Sequence, residues 1–355
     1  PAAGHEPNTD DTMLDPATLP LPAGVRLAPA NGRGGGTRHR YFVPFNDENL
    51  WTLFDDKDTG LSPPCHAQGV DVGNTLFSSV FVIASSDRTQ YYYDHWEDGY
   101  DADPLDPTQR SGTTEVGLLD AGAFVVFQDA INPGQVGTVF YHAGRDEISI
   151  VGEQAAVVRQ VYPATPGTVL AAAWEIPDVG DWGTAYVATV GEDLVTNPGG
   201  VEDHDFTGLE VMAALPGTEV YYNGVPVATL GAGETHFVDG ANDGAGGGGV
   251  DSGDTITASG PIQIQMMTGS CGVRYSAHGY TLQPVDVWDT TYWAPVPGFD
   301  PDDPGCGAPS GDADTDVYLH NPDSDGIVVT MSNSGGVYDI PVPAGTTVSV
   351  LDVTG

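Results

Sequence analysis

The sequence predicts an all-β protein built of tandem β-sandwich-like units, and three observations carry that expectation. The first is a long internal repeat. The pair Ala-Gly stands at 121, 232 and 344, each time opening a run of apolar and β-branched residues, and self-similarity of that length sets the architecture before any finer reading. The second is punctuation: 48 glycines and 28 prolines in 355 residues suit short strands joined by loops and argue against long helices. The third is a period of two within a globular composition that is 40% hydrophobic. Val80, Val82 and Ala84 fall on one side of a strand and Phe81 and Ile83 on the other, so both faces are apolar and a central position is expected.

Matching landmarks place the units. Tyr41-Phe42-Val43-Pro44-Phe45 corresponds to Tyr186-Val187-Ala188-Thr189-Val190 and to Tyr292-Trp293-Ala294-Pro295-Val296. The strand pair at 77–94 corresponds to 209–224 and to 316–335. Four segments follow: a Pro/Gly-rich leader at 1–37, a first unit with insertions at 38–184, a second at 185–290, and a partial third at 291–355 that keeps only the first half of the pattern.

The leader cannot bury enough apolar surface to fold alone. It is expected to be flexible, or to be an extended segment that borrows a partner. Leu19, Leu21, Val25 and Leu27 space its apolar residues as a strand would, with Pro20 and Pro22 restricting that strand to an edge. This makes it a candidate donor for assembly by strand addition. In the first unit, Leu119 to Phe127 reads as one strand-like run, residues 46–54 as a short helical turn, and Tyr91 to Asp94 as a strand entering an acidic turn. The second unit is the most compact, with a Gly-rich solvent loop at 240–254. The third opens on an acidic loop before a strand at Val317 to His320. A sandwich cut halfway leaves unpaired edges that invite association.

Charge is the strongest compositional signal. Fifty acidic side chains against ten basic give a formal net charge of -40, with Lys57 the single lysine. Such a chain repels nucleic-acid phosphates and anionic lipid, and no run of about 18 apolar residues predicts a membrane span. The acidity fits solubility in a salty or divalent-rich medium and also cation binding.

Asp94, Glu97, Asp98, Asp101, Asp103 and Asp106 crowd one loop, and Asp312, Asp314 and Asp316 alternate as at the start of a calcium loop. Calcium takes six to eight oxygen ligands from flexible loops, so both are candidate Ca²⁺ sites, although neither has the glycine and twelfth-position glutamate of an EF-hand. No catalytic constellation is expected. Asp94 and His95 are neighbours on a strand and point to opposite faces, Cys65-His66 likewise, and nothing else in the sequence asks to join them. His236, His278 and His320 read as ordinary structural histidines. Cys271 and Cys306 are a candidate disulfide with Cys65 left over, though other pairings stay open because spacing does not fix connectivity. Tyr41, Trp174, Trp182, Tyr186, Trp288, Tyr292 and Trp293 recur at matched points, which predicts core and inter-unit packing, with sugar-binding platforms as the alternative.

YYYDHWEDGY (91–100), YPATPGTVLAAAWEI (162–176), WGTAYVATVGEDL (182–194) and FTGLEVMAALPGTEVYYNG (206–224) resemble bacterial surface and secreted proteins whose repeats look like the IgGFc-binding protein N-terminal domain. The resemblance spans roughly residues 40–355, and DHWEDGY is its most specific part. It implies an extracellular, β-rich, adhesive or structural role, often as one module of a larger chain, and it brings no catalytic residues. Immunoglobulin binding does not follow from a shared fold. The expectation is therefore a non-enzymatic subunit of a cell-surface filament, sheath or adhesin whose partners are copies of itself and neighbouring surface components. The alternative is a glycan- or protein-binding adhesion module.

Overall fold

The computed structural model describes residues 37–46, 50, 75–131, 143–163, 172–194, 204, 206–238, 249–269, 277–293, 317–333 and 336–350. The leader residues Leu19, Leu21, Val25 and Leu27, the three cysteines, and Asp312, Asp314 and Asp316 lie outside them. Within these bounds the protein is all-β. Its regular elements are antiparallel strands, three 3-10 turns and a helical backbone position at Leu50, whose N–H bonds Asn46 O at 3.0 Å.

The first strand group comprises β1 (Arg38–Phe42), β2 (Leu76–Ile83), β3 (Thr89–Asp94), β4 (Glu115–Leu119), β5 (Phe124–Ile131), β6 (Glu147–Val151), β7 (Ala156–Pro163) and β8 (Ala172–Glu175). They form two four-stranded sheets, ordered β1-β6-β3-β4 and β5-β2-β7-β8. Tyr41, Tyr91, Tyr93, Ile148 and Ile150 from one sheet meet Val80, Val82, Phe127 and Val157 from the other in a shared core. That makes a β-sandwich, with β2 central as its doubly apolar pattern requires. Leu119 to Phe127 is a hairpin rather than one strand, because Gly122 takes φ 77° and turns the chain between β4 and β5.

The second group comprises β9 (Gly183–Val187), β10 (Phe206–Ala213), β11 (Thr218–Tyr222), β12 (Val225–Leu230), β13 (Thr235–Val238), β14 (Thr255–Gly269) and β15 (Ala277–Thr281). Its organiser is β14, fifteen residues long. The first part of β14 lies between β9 and β11, and the part from Ile262 lies between β10 and β15. The change of partners falls at Gly260-Pro261, where the missing proline N–H and the register shift between Thr257 and Ile262 interrupt the ladder with β9. The resulting orders are β9-β14-β11-β12 and β13-β10-β14-β15. These correspond strand for strand with the first group, β14 standing where β6 and β7 stand. Tyr186, Val220 and Ile256 pack against Leu209, Val211, Ile264 and Met266 in its core.

The third group has β16 (Val317–His320), β17 (Ile327–Asn333), β18 (Gly336–Val342) and β19 (Thr347–Val350), paired β16-β19 and β17-β18. These are the pairings of β2 with β5 and β3 with β4. Among the described residues no strand occupies the places that β6 and β7 hold in the first group. Tyr292 and Trp293 depart from the packing expected of them. Their counterparts Tyr41 and Tyr186 are buried, whereas Tyr292 is 69% and Trp293 94% exposed. The reason is that β1 and β9 pair with the central strand, and residues 291–293 have none beside them.

The first two groups are fused rather than strung. The outward face of β10 and β14 carries Glu210, Met212, Gln263, Gln265 and Met267, all buried against the first group. Gln263 Nε2 donates to Phe42 O at 2.8 Å, Glu210 accepts from Asn46 N at 3.0 Å, and Trp174 Nε1 donates to Met266 O at 3.0 Å. Buried polar groups at this seam are thus hydrogen-bonded, as burial demands.

Candidate functional site

The acidic segment after β3 is the most heavily functionalised part of the described chain. β3 ends at Asp94 and a 3-10 turn follows at Trp96–Asp98, closed by Gly99 at φ 90°. Across this turn Asp94 and His95 take different partners, Asp101 N for Asp94 and Asp146 for His95.

Asp94 is buried, and its Oδ2 accepts from Asp101 N at 2.7 Å. Burial, with Asp101, Glu147 and Asp98 nearby, pushes its carboxyl up to about 6. Asp101 accepts from Ser111 N at 2.6 Å and Thr114 Oγ1 at 2.7 Å, Asp98 from Thr113 Oγ1 at 2.7 Å, Asp103 from Leu105 N at 3.1 Å, and Asp106 from Thr108 and Gln109. The loop carboxylates expected as a calcium cluster therefore serve as acceptors for the loop's own amides and hydroxyls. Among the described residues no three of these carboxylates form a ligand group with one another, while Glu97 joins a different one.

What converges instead is His95 with Glu97 and with Asp146, the residue just before β6. One ligand-type atom from each lies within 4.8 Å of the others. His95 Nδ1 is 3.1 Å from Asp146 Oδ2, and Nε2 is 3.6 Å from Glu115 Oε1 on β4. Asp146 is fully buried, and its Oδ1 accepts from Trp96 N at 3.1 Å. The hydrogen bond to Asp146, and then the one to Glu115, raise the imidazole to about 10. Burial, opposed by His95 and reinforced by Glu97, raises Asp146 to about 7. The expectation that nothing joins His95 is thus corrected: β3 pairs with β6, and this brings Asp146, 51 positions away, beside it.

The same turn forms the seam between groups. Arg145, in left-handed backbone at φ 80°, lays its guanidinium 4.2 Å from the Trp96 ring centroid and donates from Nε to Gly233 O at 3.1 Å. Tyr100 donates to Arg145 O at 2.7 Å and packs edge-on against Phe42, beside Trp182 and Met212. A Cβ built on Gly233 would overlap the Tyr100 hydroxyl. DHWEDGY is therefore a joint as well as a polar cluster. A cleft of about 590 Å³ opens nearby, lined by Tyr41, Gln154, Asp178, Asp181, Trp182 and Asp286 among others. His39 pairs with Asp178 at its edge.

The third group leans on the second in a related way. Thr347 Oγ1 donates to Thr189 O at 2.7 Å, His320 packs edge-on to Trp288, and Gly345, the counterpart of Gly233, faces Gly253. His236 and His320 are held below their ordinary value by burial alone. Compared with known proteins, the chain matches no described family, no curated protein and no solved structure.

Proposed function

We propose that this is an extracellular structural protein, a subunit of a cell-surface filament, sheath or adhesin. In this reading the three strand groups are copies of one module, and chains join by β-strand complementation at the third group. The observation that carries it is the third group itself. Among the described residues it reproduces the β2-β5 and β3-β4 pairings with no central strand, and Val328 on β17 and Val337 on β18 are exposed, as is Trp293. In the second group that place is filled by one extended strand, β14, so strand addition by an extended segment is the geometry already used within this chain. Supporting it at the other end, the Ala-Gly turn at Gly233 meets Tyr100 and Phe42 of the preceding group, whereas nothing lies within 4 Å of a Cβ on the equivalent Gly122, and Phe124 beside it is 61% exposed.

The family resemblance at DHWEDGY and the acidity of the chain favour a surface location and an adhesive role; the leader at 1–37 is the proposed donor. The test is negative-stain electron microscopy with light scattering across a concentration series, on the full chain and on a chain lacking residues 1–36. Ordered fibres or concentration-dependent mass that disappear with the leader support the proposal. Discrete monomers at every concentration overturn it. A glycan- or protein-binding module is the second reading, favoured by the polar cleft beside Trp182, and it predicts ligand retention by a monomer without the leader.

A further inference from the structure

The geometry points to a binding site for one divalent transition-metal ion of the zinc class, held by His95, Glu97 and Asp146 at the seam between the first two strand groups. It is independent of the assembly reading, because it concerns a single chain.

The donor set comes first. One imidazole nitrogen and two carboxylates converge within 4.8 Å, and the 3.1 Å between His95 Nδ1 and Asp146 Oδ2 is close to the edge, about 3.3 Å, of a tetrahedron with bonds of about 2.0–2.1 Å. Three protein ligands with a fourth position open to water is a common arrangement for zinc. Calcium would ask for six to eight oxygens and has little use for an imidazole, and the neighbouring carboxylates are engaged by loop amides and hydroxyls.

The second observation lies beneath the cluster. The Tyr93 hydroxyl is fully buried against Asp146 without a hydrogen bond of ordinary geometry, and its ring meets His95 edge-on at 5.0 Å. A buried hydroxyl with a poorly formed hydrogen bond is costly, and here the group beside it is one of the candidate ligating carboxylates. The third is charge. Asp146, Glu97 and Glu115 surround a single imidazole, and the guanidinium of Arg145, next in sequence to Asp146, is stacked on Trp96 and bonded to Gly233 O. With Glu115 beside Nε2, the ring is oriented to present Nδ1 inward, the carboxylate–histidine–metal arrangement that fixes a ligating tautomer. The metal would tie the 96–98 turn to the start of β6. Arg145 would carry that tie to Gly233 and Glu234 of the second group.

The competing account is an imidazolium ion pair with no ion, and His95→Lys separates the two, since an ammonium keeps the positive charge and cannot ligate while protonated. The experiment is isothermal titration of the chelator-treated full chain with Zn²⁺ alone, and separately with Ca²⁺, alongside thermal unfolding. The expected result is one tight Zn²⁺ equivalent per chain that raises Tm by about 3 °C or more. His95→Lys and Glu97→Gln should each weaken it at least about tenfold, whereas Asp98→Asn, whose carboxylate only accepts from Thr113, should not. Glu97 lies on a partly exposed turn, so its variant decides the matter if His95→Lys fails to fold. Weak multi-site binding without a Tm rise, or binding unchanged in Glu97→Gln, overturns the proposal.

Discussion

Gly122 and Gly233 hold left-handed backbone at φ 77° and 67°, so alanine at either position costs about 1 kcal/mol in backbone strain. At Gly233 the new methyl also collides with the Tyr100 hydroxyl, while at Gly122 it enters open space. Gly233→Ala is expected to lower unfolding free energy by about 3 kcal/mol, with overpacking added to strain, and Gly122→Ala by about 1. Equal losses in urea denaturation would show that the seam contact carries no weight. The recurrence of the Ala-Gly pairs was legible, but their turning of the chain was not, since Leu119 to Phe127 reads as one apolar strand-like run and only the left-handed backbone of Gly122 breaks it. The convergence of Asp146 on His95 was not: it depends on β3 pairing with β6, which lies beyond β4 and β5 in the chain, and neither the type nor the spacing of Asp146 announces that.

Among the elements, β14 shows most directly how pattern becomes packing. Ile262, Ile264 and Met266 enter the core of the second group while Gln263 and Gln265 turn to the first, and all five are buried. Ile264→Ala is therefore expected to cost about 2–5 kcal/mol through lost burial and a cavity. Gln263→Ala should cost about 1–3 kcal/mol by leaving Phe42 O unpartnered. Because one strand runs through both sheets of the second group, amides of β10 and β11 should exchange with similar protection. In the first group, β6 and β7 are joined only through residues 152–155, so the two sheets there are freer to open separately. Hydrogen exchange followed by mass spectrometry reads the difference. The alternation was visible in the sequence. That β14 would serve two sheets was not, since only the partners of Thr257 and Ile262 show it.

At the scale of the molecule, charge and joints act against each other. A net charge of -40 makes chains repel, and that repulsion is screened within a Debye length of about 10 Å at 0.1 M salt. Association is therefore expected to strengthen between 50 mM and 1 M NaCl in sedimentation velocity, and weakening over that range would point to ion pairs as the adhesive. The seam between the second and third groups has its own sensitivity. Burial beside Trp288 and Thr347 lowers His320 from its ordinary value of 6.5. A histidine lowered on folding contributes its full stability above pH 6.5 and loses it as pH falls through the lower folded value. Limited proteolysis between β15 and β16 should accelerate from pH 8 to pH 5, and a His320→Gln chain should lose that dependence. All-β architecture was legible from turn density and period, whereas the exposure of Tyr292 and Trp293 was not, because their burial in the other groups depends on a strand partner that no local pattern encodes.

The seam at Gly233 joins unlike surfaces: a turn from the later group meets Phe42 and Tyr100 of the earlier one. Contacts of that kind do not close on themselves as a two-fold dimer does; repeated, they give a line with a direction. In the proposed assembly the two tips would therefore differ chemically, and a support that captured one of them would set the orientation of every chain added after it.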